Sequence, residues 1–508
     1  MERTFRKIAI IAGLACLTGC DKGFDAMNVN PVALTSVDPV FQLNNAIVNS
    51  AFTYGNLSYE TTIVKQMITP FSGVGSAANY NQDNRSVAAG NWQRYYRSIT
   101  RDLVDVVEKT RNDPNRANLY HTARIWKAYC FMLLTDTYGD VPYKEAGRGA
   151  LEGTSKPKYD GQEAIYTDIL NELETATAAL DAAKTRVTQE VLFAGDVPTW
   201  KRIGNSLLLR AAMRLSKVKP AVAQTYVAKA VSGGLMTGNT DNIVIRHNAN
   251  FANDVGSQLN GGQSAFFYLA KDFVDHLKSA SDPRLTAIAV RYKGALSGAN
   301  QIESRASRLA ADQIGMPLGF DNTTISSQVT ANGLASLWDY SQLDRTRMAS
   351  PQAPTFILTY AQTQLLLAEA ITRGWATGTA ATAYANGIRS HMQQLALYGT
   401  STAIPAATID AWIAANPLVP ARALEQINTQ YWVASFLNGP EAFANFRRSG
   451  FPVLTPNLFP GRDLKTESFI RRLTYPDAEL NVNTANVQEA IKRQGADIMD
   501  TRVWWDVK

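Results

Sequence analysis

The amino-acid sequence predicts an all-α fold, a scaffold of helix pairs with long irregular loops and at most a few short strands. Three observations predict this class. Apolar residues recur at helical spacing through most of the 508 residues, and short turns join many of these segments. Two stretches, 72–90 and 292–354, lack that spacing and are rich in Gly, Ser and Asn. Irregular segments of that length inside a folded chain are usually functional or disordered.

The N-terminal residues have the pattern of a secretory signal peptide. Arg3, Arg6 and Lys7 precede an apolar stretch at 8–17, which is too short to span the hydrocarbon core of a bilayer. A buried N-terminal helix is the alternative, but the basic flank favours a signal peptide.

The residues that follow, Leu-Thr-Gly-Cys at 17–20, resemble the bacterial lipobox, in which the cysteine is acylated and becomes the first residue of the mature chain. We therefore expect residues 1–19 to be removed and Cys20 to hold the protein on a membrane through lipid. Several acyl chains anchor a protein firmly, whereas one chain alone is marginal. No composition break resembles a linker, so residues 20–508 are expected to form one domain.

Charge and cysteine content argue against nucleic acid as a partner and against an internal disulfide. The chain has 50 Lys and Arg against 44 Asp and Glu, a net charge of +6, and no dense basic run, so nucleic acid is not an expected partner. Cys16 leaves with the signal peptide and Cys20 carries lipid, so Cys130 has no cysteine to pair with. Its aromatic and apolar neighbours predict a buried thiol and not a nucleophile.

Along the chain, apolar spacing predicts a series of helices. One of them ends at Gly139, as expected of a C-terminal glycine, and another starts at Pro220 after a short turn. A short strand is predicted at 242–246. The predicted helices cover 91–111, 115–138, 162–183, 198–217, 220–232, 264–279, 355–373, 379–398, 421–437, 440–448 and 484–493.

Recurring helix pairs indicate a tetratricopeptide-like scaffold. Trp200, Ile203, Gly204 and Leu207 match the first half of that repeat's pattern. No strict period of about 34 residues accompanies this match, so any repeats are degenerate.

Signatures of enzymes are mostly absent, and we expect a protein that is not an enzyme and needs no cofactor or metal. The four histidines lie far apart in the sequence, without a His-Glu-x-x-His motif. The glycines at 73–75 fit part of a dinucleotide fingerprint, but an Asn-rich stretch at 79–84 follows in place of a helix. The two acids of a glycosidase have no fixed sequence spacing. A surface glycoside hydrolase therefore stays open as an alternative, as does a helical protein-interaction scaffold without a small ligand.

Six stretches in order along the chain resemble the SusD/RagB family of outer-membrane lipoproteins, in its SusD-like branch. The resemblance runs nearly from end to end, and its order makes it specific. The stretches are Asn-Val-Asn-Pro at 28–31, Thr-Asp-Thr-Tyr-Gly-Asp-Val-Pro-Tyr at 135–143, Leu-Leu-Leu-Ala-Glu-Ala at 365–370, Gln-Tyr-Trp at 430–432 leading through Leu-Asn-Gly at 437–439 to Phe-Arg-Arg-Ser-Gly-Phe-Pro at 446–452, Arg-Arg-Leu-Thr-Tyr-Pro at 471–476 and Trp-Trp-Asp at 504–506.

This resemblance implies a tetratricopeptide-like all-α fold displayed at the outer membrane, facing the cell exterior. It also implies a function. Such a protein captures a nutrient, usually a glycan or oligosaccharide, and delivers it to a SusC-type TonB-dependent transporter.

The matched motifs also have structural interpretations, which we prefer. Arg447 and Arg448 end a predicted helix, where cations complement the helix dipole. Arg471 and Arg472 precede an extended Tyr-Pro segment, and we expect all four arginines to lie in paired networks. Glu369 stands among Leu and Ala and is expected to be a hydrogen-bonded scaffold residue, since carboxylates are seldom buried unpaired.

Sugar binding needs flat apolar rings together with amide and guanidinium donors. Most aromatic residues lie at helical packing spacing, and Trp126 and Trp200 are expected in the core. Four aromatic residues in the two irregular stretches lack a helical partner pattern and are the expected ligand contacts; they are Tyr80, Phe320, Trp338 and Tyr340. Asn79, Asn81 and Arg85 are the expected hydrogen-bond donors to sugar hydroxyls.

Overall fold

The computed structural model describes residues 37–71 and 81–508. Helices dominate these residues, which confirms the predicted fold class, and Pro39–Lys508 cluster into one unit. Cys20 and the predicted signal peptide at 1–19 lie outside the described residues, so the bounds of the mature domain remain a prediction.

The helices follow one another with short connections through most of the chain. They are α1 Pro39–Val48, α2 Tyr54–Ser58, α3 Glu60–Ile63, α4 Arg85–Arg94, α5 Thr100–Thr110, α6 Ala117–Tyr138, α7 Gly149–Glu152, α8 Gln162–Ala179, α9 Val197–Arg214, α10 Pro220–Gly233, α11 Asp254–Asn260, α12 Lys271–Ser279, α13 Arg284–Ile288, α14 Ser326–Ala331, α15 Tyr360–Thr372, α16 Ala380–Gln394, α17 Ala406–Ala415, α18 Ala423–Ala434, α19 Gly439–Ser449, α20 Asp477–Val482 and α21 Thr484–Gln494.

Neighbouring helices pack as pairs, as the short turns predict. Helix α6 packs on α5 and α8, α9 on α8 and α10, and α15 on α16 and α18. The ring centroids of Trp126 and Trp200 lie 6.5 Å apart in the core between these helices, and both residues are buried, as predicted. Cys130 is also buried, and burial raises the pKa of its thiol far above the usual range, as expected of an inert residue.

Helix ends follow the local sequence. Helix α6 stops because Gly139 adopts a φ of +83°, a conformation that other residues rarely take. The segment predicted at 91–111 begins earlier, at Arg85, because the Asn84 side chain accepts a hydrogen bond from the amide of Val87. A π-helical turn at Tyr95–Ile99 joins α4 to α5.

Two predicted helices begin later in the structure than predicted. The segment 264–279 becomes helical only at Lys271, and 355–373 only at Tyr360, where the Thr359 side chain accepts from the amide of Gln362. The residues before each helix form strands instead, because each pairs with a distant segment that sequence spacing does not show. The helices at Pro39–Val48 and Ala406–Ala415 were not predicted.

The strands are short and pair antiparallel. β1 (Met67–Ile68) pairs with β5 (Tyr268–Leu269), β2 (Val141–Pro142) with β3 (Tyr159–Asp160), and β4 (Ile243–Ile245) with β9 (Thr355–Leu358). β4 confirms the strand predicted at 242–246. In the irregular region, β6 (Ala289–Tyr292) lies between β7 (Ala306–Ser307) and β8 (Gln342–Leu343).

The stretch 292–354 is ordered around an apolar cluster of its own. Ile68, Tyr268, Met316 and Tyr340 are all fully buried there. The stretch therefore contributes to a small core although it lacks helical spacing. Ile68 and Tyr268, from strands distant in the sequence, complete this core.

The four arginines of the C-terminal motifs lie in paired networks, which confirms their expected role. Arg448 donates to both carboxylate oxygens of Glu369, at 2.7 and 2.6 Å, and Arg447 donates to the carbonyl of Asp136 at 2.6 Å. Arg472 pairs with Asp497 at 2.8 Å. Arg471 makes a 3.3 Å ion pair with Glu467.

Candidate functional site

Three half-buried aromatic rings, Phe71, Phe320 and Trp338, pack on the small apolar cluster of the irregular region, and a fourth, Phe266, packs on the main core beside Phe71. Phe71 lies edge-on against Phe266, with ring centroids 4.8 Å apart, and its centroid is 6.5 Å from that of Trp338. Phe320 packs on the same cluster. We call Phe71, Phe266, Phe320 and Trp338 the aromatic surface.

Strand pairing and one turn bring these rings together. β1 and β5 place Ile68 opposite Tyr268, so Phe71 and Phe266 follow and precede the same two-stranded ladder. The amide of Asn322 donates to the carbonyl of Pro70 at 3.0 Å, which holds the turn after Phe320 beside Phe71.

Trp338 is fixed on its backbone side. Its amide donates to Oγ of Ser336 at 3.1 Å, and its carbonyl accepts from Nε2 of Gln301 at 3.0 Å. A Cβ on Gly298 would lie 3.7 Å from the indole nitrogen and 2.7 Å from Cβ of Ala265, so glycine permits this close approach. The indole nitrogen donates no hydrogen bond to any described residue and stays available to a ligand hydroxyl.

Tyr340 lies beneath the aromatic surface. Its ring is fully buried, its hydroxyl accepts from Nδ2 of Asn332 at 3.3 Å, and burial raises its pKa. Because no face of this ring reaches solvent, its position supports the surface from below.

The polar residues of the predicted site bind the protein itself. Nδ2 of Asn81 donates to the carbonyl of Asn457 at 3.0 Å, and the Asn81 backbone has a φ of +52°. Arg85 donates to Asp497 at 2.6 Å and to the carbonyl of Tyr475 at 2.8 Å. These contacts fix the chain just after the segment 72–80. Asn79 and Tyr80 lie outside the described residues.

Sequence reasoning missed Phe71 and Phe266. Phe71 follows Pro70 and stands directly before the irregular stretch, which was the available signal. Phe266 was assigned to a helix, although Gly261 and Gly262 precede it and favour a turn.

Asp321, the carboxylate that follows Phe320 in sequence, is not suited to general-acid catalysis. The carboxylate of Asp321, next to Phe320 in sequence, accepts hydrogen bonds from the hydroxyls and amides of Thr323 and Thr324. These bonds lower the pKa of Asp321 to about 2, so it stays ionised and cannot act as a general acid near neutral pH. No group of His, Cys, Asp and Glu suited to a metal occurs within 37–71 and 81–508.

The sequence and the fold of the chain are similar to those of known proteins. A family model for SusD-like proteins, described as starch-binding and associating with the outer membrane, matches residues 31–476. The chain belongs to the SusD-like family. The likeness therefore spans most of the chain, as the ordered motifs of the sequence imply.

Solved structures of SusD-like proteins superpose over nearly the whole chain. A chitin-binding protein is 28% identical, with a TM-score of 0.81 over 93% of this chain and 100% of that chain. A SusD-like protein of Bacteroidetes is 27% identical, with a TM-score of 0.80 over the same shares. A chitin-binding SusD homologue from Flavobacterium johnsoniae is 24% identical, with a TM-score of 0.75 over 92% of this chain and 98% of that chain, a likeness of fold.

No curated protein matches the chain. None of the helices within the described ranges combines the length and apolar character needed to cross a membrane. The SusD-like relatives with a stated activity are named as binding proteins and not as enzymes.

Proposed function

We propose that this SusD-like protein is a lipoprotein, anchored through Cys20 at the outer membrane, that captures a glycan and delivers it to a SusC-type TonB-dependent transporter. The observation that carries the proposal is the aromatic surface. Its rings are half-buried and packed against one another or on a buried apolar cluster, and partly exposed aromatic rings suit the apolar face of a pyranose.

The aromatic surface supports stacking by Trp338, Phe71 and Phe320. Tyr80 and Asn79 follow Phe71 after a few residues of chain and remain proposed contacts. Asn81 and Arg85 donate hydrogen bonds to other residues of the protein. We therefore assign them the role of fixing the end of the segment that carries Tyr80.

Oligomers of N-acetylglucosamine are the first ligands to test. The chitin-binding protein with a TM-score of 0.81 supports this choice, although its ligand is a property of that protein. Stacking with a few hydrogen bonds that compete with water corresponds to an affinity of about micromolar or weaker.

Calorimetry with chitohexaose tests the proposal. We expect Trp338→Ala to weaken binding by about 1–3 kcal/mol, the range known for aromatic stacking on bases. Trp375→Ala is the matched control, because that half-buried indole packs 5.3 Å from the Arg373 guanidinium and is not part of the aromatic surface. Thermal melting separates lost binding from lost folding.

Two results would contradict the proposal. Unchanged binding by Trp338→Ala, with a normal melting temperature, would remove the aromatic surface as the site. Release of reducing sugar from chitohexaose by purified protein would favour the glycoside hydrolase instead.

A further inference from the structure

A second cleft, of about 380 Å³, is built from different residues than the aromatic surface. Its polar wall holds four carboxamides and one guanidinium, and its apolar wall is formed by side chains such as Phe193 and Leu397. The polar residues are Asn239, Thr240, Asn242, Arg246, Gln393 and Gln394. No carboxylate occurs among the described residues that line it.

Backbone groups of two helices hold two of the carboxamides in place. Nδ2 of Asn239, in the turn before β4, donates to the carbonyl of Ser390 in α16 at 2.9 Å. Oδ1 of Asn242 accepts from the amide of Tyr360 at the start of α15, at 2.7 Å. The cleft is therefore pre-formed by the scaffold and does not depend on a loop closing over it.

Several polar groups of this wall have hydrogen-bonding capacity left over. Gln394 is only 4% exposed; its Oε1 accepts from Nδ2 of Asn242 at 3.4 Å, while its Nε2 has no partner in the described part of the chain. This Nε2 is not a fully buried atom, and Gln394 lines the cleft, so water or a ligand there can accept its hydrogen bonds. Gln393 and Arg246 are exposed and make no hydrogen bond or ion pair to described residues.

The acidic residue nearest in sequence does not neutralise Arg246. Both carboxylate oxygens of Asp241 accept from Arg202, at 2.7 and 2.8 Å, and one also accepts from the amide of Thr237. The guanidinium of Arg246 is therefore available to donate to a ligand in the cleft.

The apolar wall is rigid and partly open. The ring of Phe193 stands edge-on to Trp200, with centroids 5.8 Å apart, which fixes the ring. Leu397 is 45% exposed in the 3-10 turn Leu395–Tyr398 that follows α16.

We propose that this cleft is a second binding site for a neutral saccharide of a few sugar units. A carboxamide both donates and accepts, as a hydroxyl does, so clustered carboxamides match a hydroxyl-rich ligand better than an anion. The apolar wall suits the C–H face of a sugar ring. The site would hold a glycan at a second point, independent of the aromatic surface.

Hydrogen exchange with mass spectrometry tests this site in the full chain. The probes are chitohexaose, cellohexaose, maltohexaose, xylohexaose and mannohexaose, each added to wild type and to Trp338→Ala. We expect at least one probe to protect peptides that span 239–246 and 391–397 in both proteins. Protection of these peptides in neither protein, with any probe, would overturn the second site.

A double variant provides the quantitative test. Arg246→Ala with Gln393→Ala, in the Trp338→Ala background, should raise the Kd of the protecting saccharide about 10-fold, as expected from two lost hydrogen bonds. Arg97→Ala with Gln488→Ala is the matched control, because both side chains are exposed and unpaired among described residues elsewhere in the fold. Equal Kd values for the two double variants would also contradict the proposal.

This design keeps the two sites apart. If Trp338→Ala binds as wild type does but the cleft peptides are protected, the aromatic surface fails and the second site stands. If Trp338→Ala loses saccharide binding and no probe protects the cleft peptides, the second site is refuted and the aromatic surface is supported.

Discussion

Glu60 is a fully buried carboxyl group whose hydrogen-bond partners are carboxamides. Nδ2 of Asn91 lies 3.3 Å from its Oε1, and Nδ2 of Asn56 lies 3.4 Å from the same oxygen. Burial raises the pKa of Glu60 to about 8, although Arg447 acts in the opposite direction. The folded protein therefore prefers the protonated acid.

This preference predicts the direction of a pH effect on stability. An unfolded glutamate has a pKa of 4.5, so between pH 4.5 and about 8 the unfolded state gives up the proton that the folded state keeps. The stability contribution is full below pH 4.5 and is lost as the pH rises to about 8. We expect Glu60→Gln to be more stable than wild type at about pH 8, by roughly 2–4 kcal/mol.

Urea unfolding at about pH 5 and about pH 8 measures this difference. Glu425→Gln is the control, because that exposed carboxylate pairs with Arg422 on the surface. Parallel pH dependence of wild type and Glu60→Gln would show that Glu60 does not titrate in this range.

For single residues, the sequence predicts which side chains need a hydrogen-bond partner, but it does not predict which residue that partner is. The sequence predicts that Glu369 must be paired, since an unpaired buried carboxylate is too costly. It cannot show that the partner is Arg448, which lies 79 positions after Glu369 in the sequence and donates to it. Phe71 and Phe266 were missed for the same reason, because a surface of four rings from separate segments has no sequence spacing.

Helix α9 approaches α8 so closely at Gly204 that only glycine fits. A Cβ at this position would overlap Oγ1 of Thr177 and lie 2.9 Å from Cβ of the same residue. The match of Gly204 to the tetratricopeptide pattern thus has a physical reason, the close contact between neighbouring helices.

We expect Gly204→Ala to lower the free energy of unfolding by about 1–3 kcal/mol through overpacking. Gly90→Ala is the matched control, because a Cβ there meets nothing within 4 Å, and it should stabilise α4 by up to about 1 kcal/mol. Adding Thr177→Ala should recover part of the loss in Gly204→Ala. Denaturant unfolding checks all three, and equal effects of the two glycine substitutions would refute the close contact.

Helices were more predictable than strands because helical spacing is a local property. Most predicted helices agree with the structure within a few residues, and α6 ends at its predicted glycine. β1, β5 and β9 depend on pairing with distant segments, so the residues before α12 and α15 were assigned to helices. β1 and β5 are also the elements that position Phe71 and Phe266.

The family was predictable for the whole molecule because six motifs of the scaffold occur in a fixed order along the sequence. Residues 135–143 illustrate this. Asp140 accepts from the amide of Gln162 at 2.9 Å and pairs with Arg493 at the same distance, so this motif connects three distant parts of the fold. Ligand contacts vary on such a scaffold, which is why sequence alone leaves the glycan open.

For the whole molecule, Cys20 is predicted to determine the cellular location. Cys20→Ala should abolish acyl labelling and move the protein from the membrane fraction to the soluble fraction, because no lipid then holds it. Fractionation with labelled palmitate measures both effects, and Cys130→Ala is the control, since the buried thiol should not be acylated. Unchanged labelling of Cys20→Ala would refute the anchor.

The same anchor should decide whether the protein stays with its transporter. A lipid-held protein and a β-barrel in one membrane meet at high effective concentration, so a modest interface suffices for a stable complex. Purification of wild type in mild detergent is expected to bring down a SusC-type transporter, and Cys20→Ala should bring down much less of it at equal expression. Trp338→Ala should recover the transporter as wild type does, because glycan capture and transporter binding need not share residues. Wild-type protein that purifies alone, while the transporter is present in the same membranes, would contradict delivery and leave a glycan-binding protein that acts without this partner.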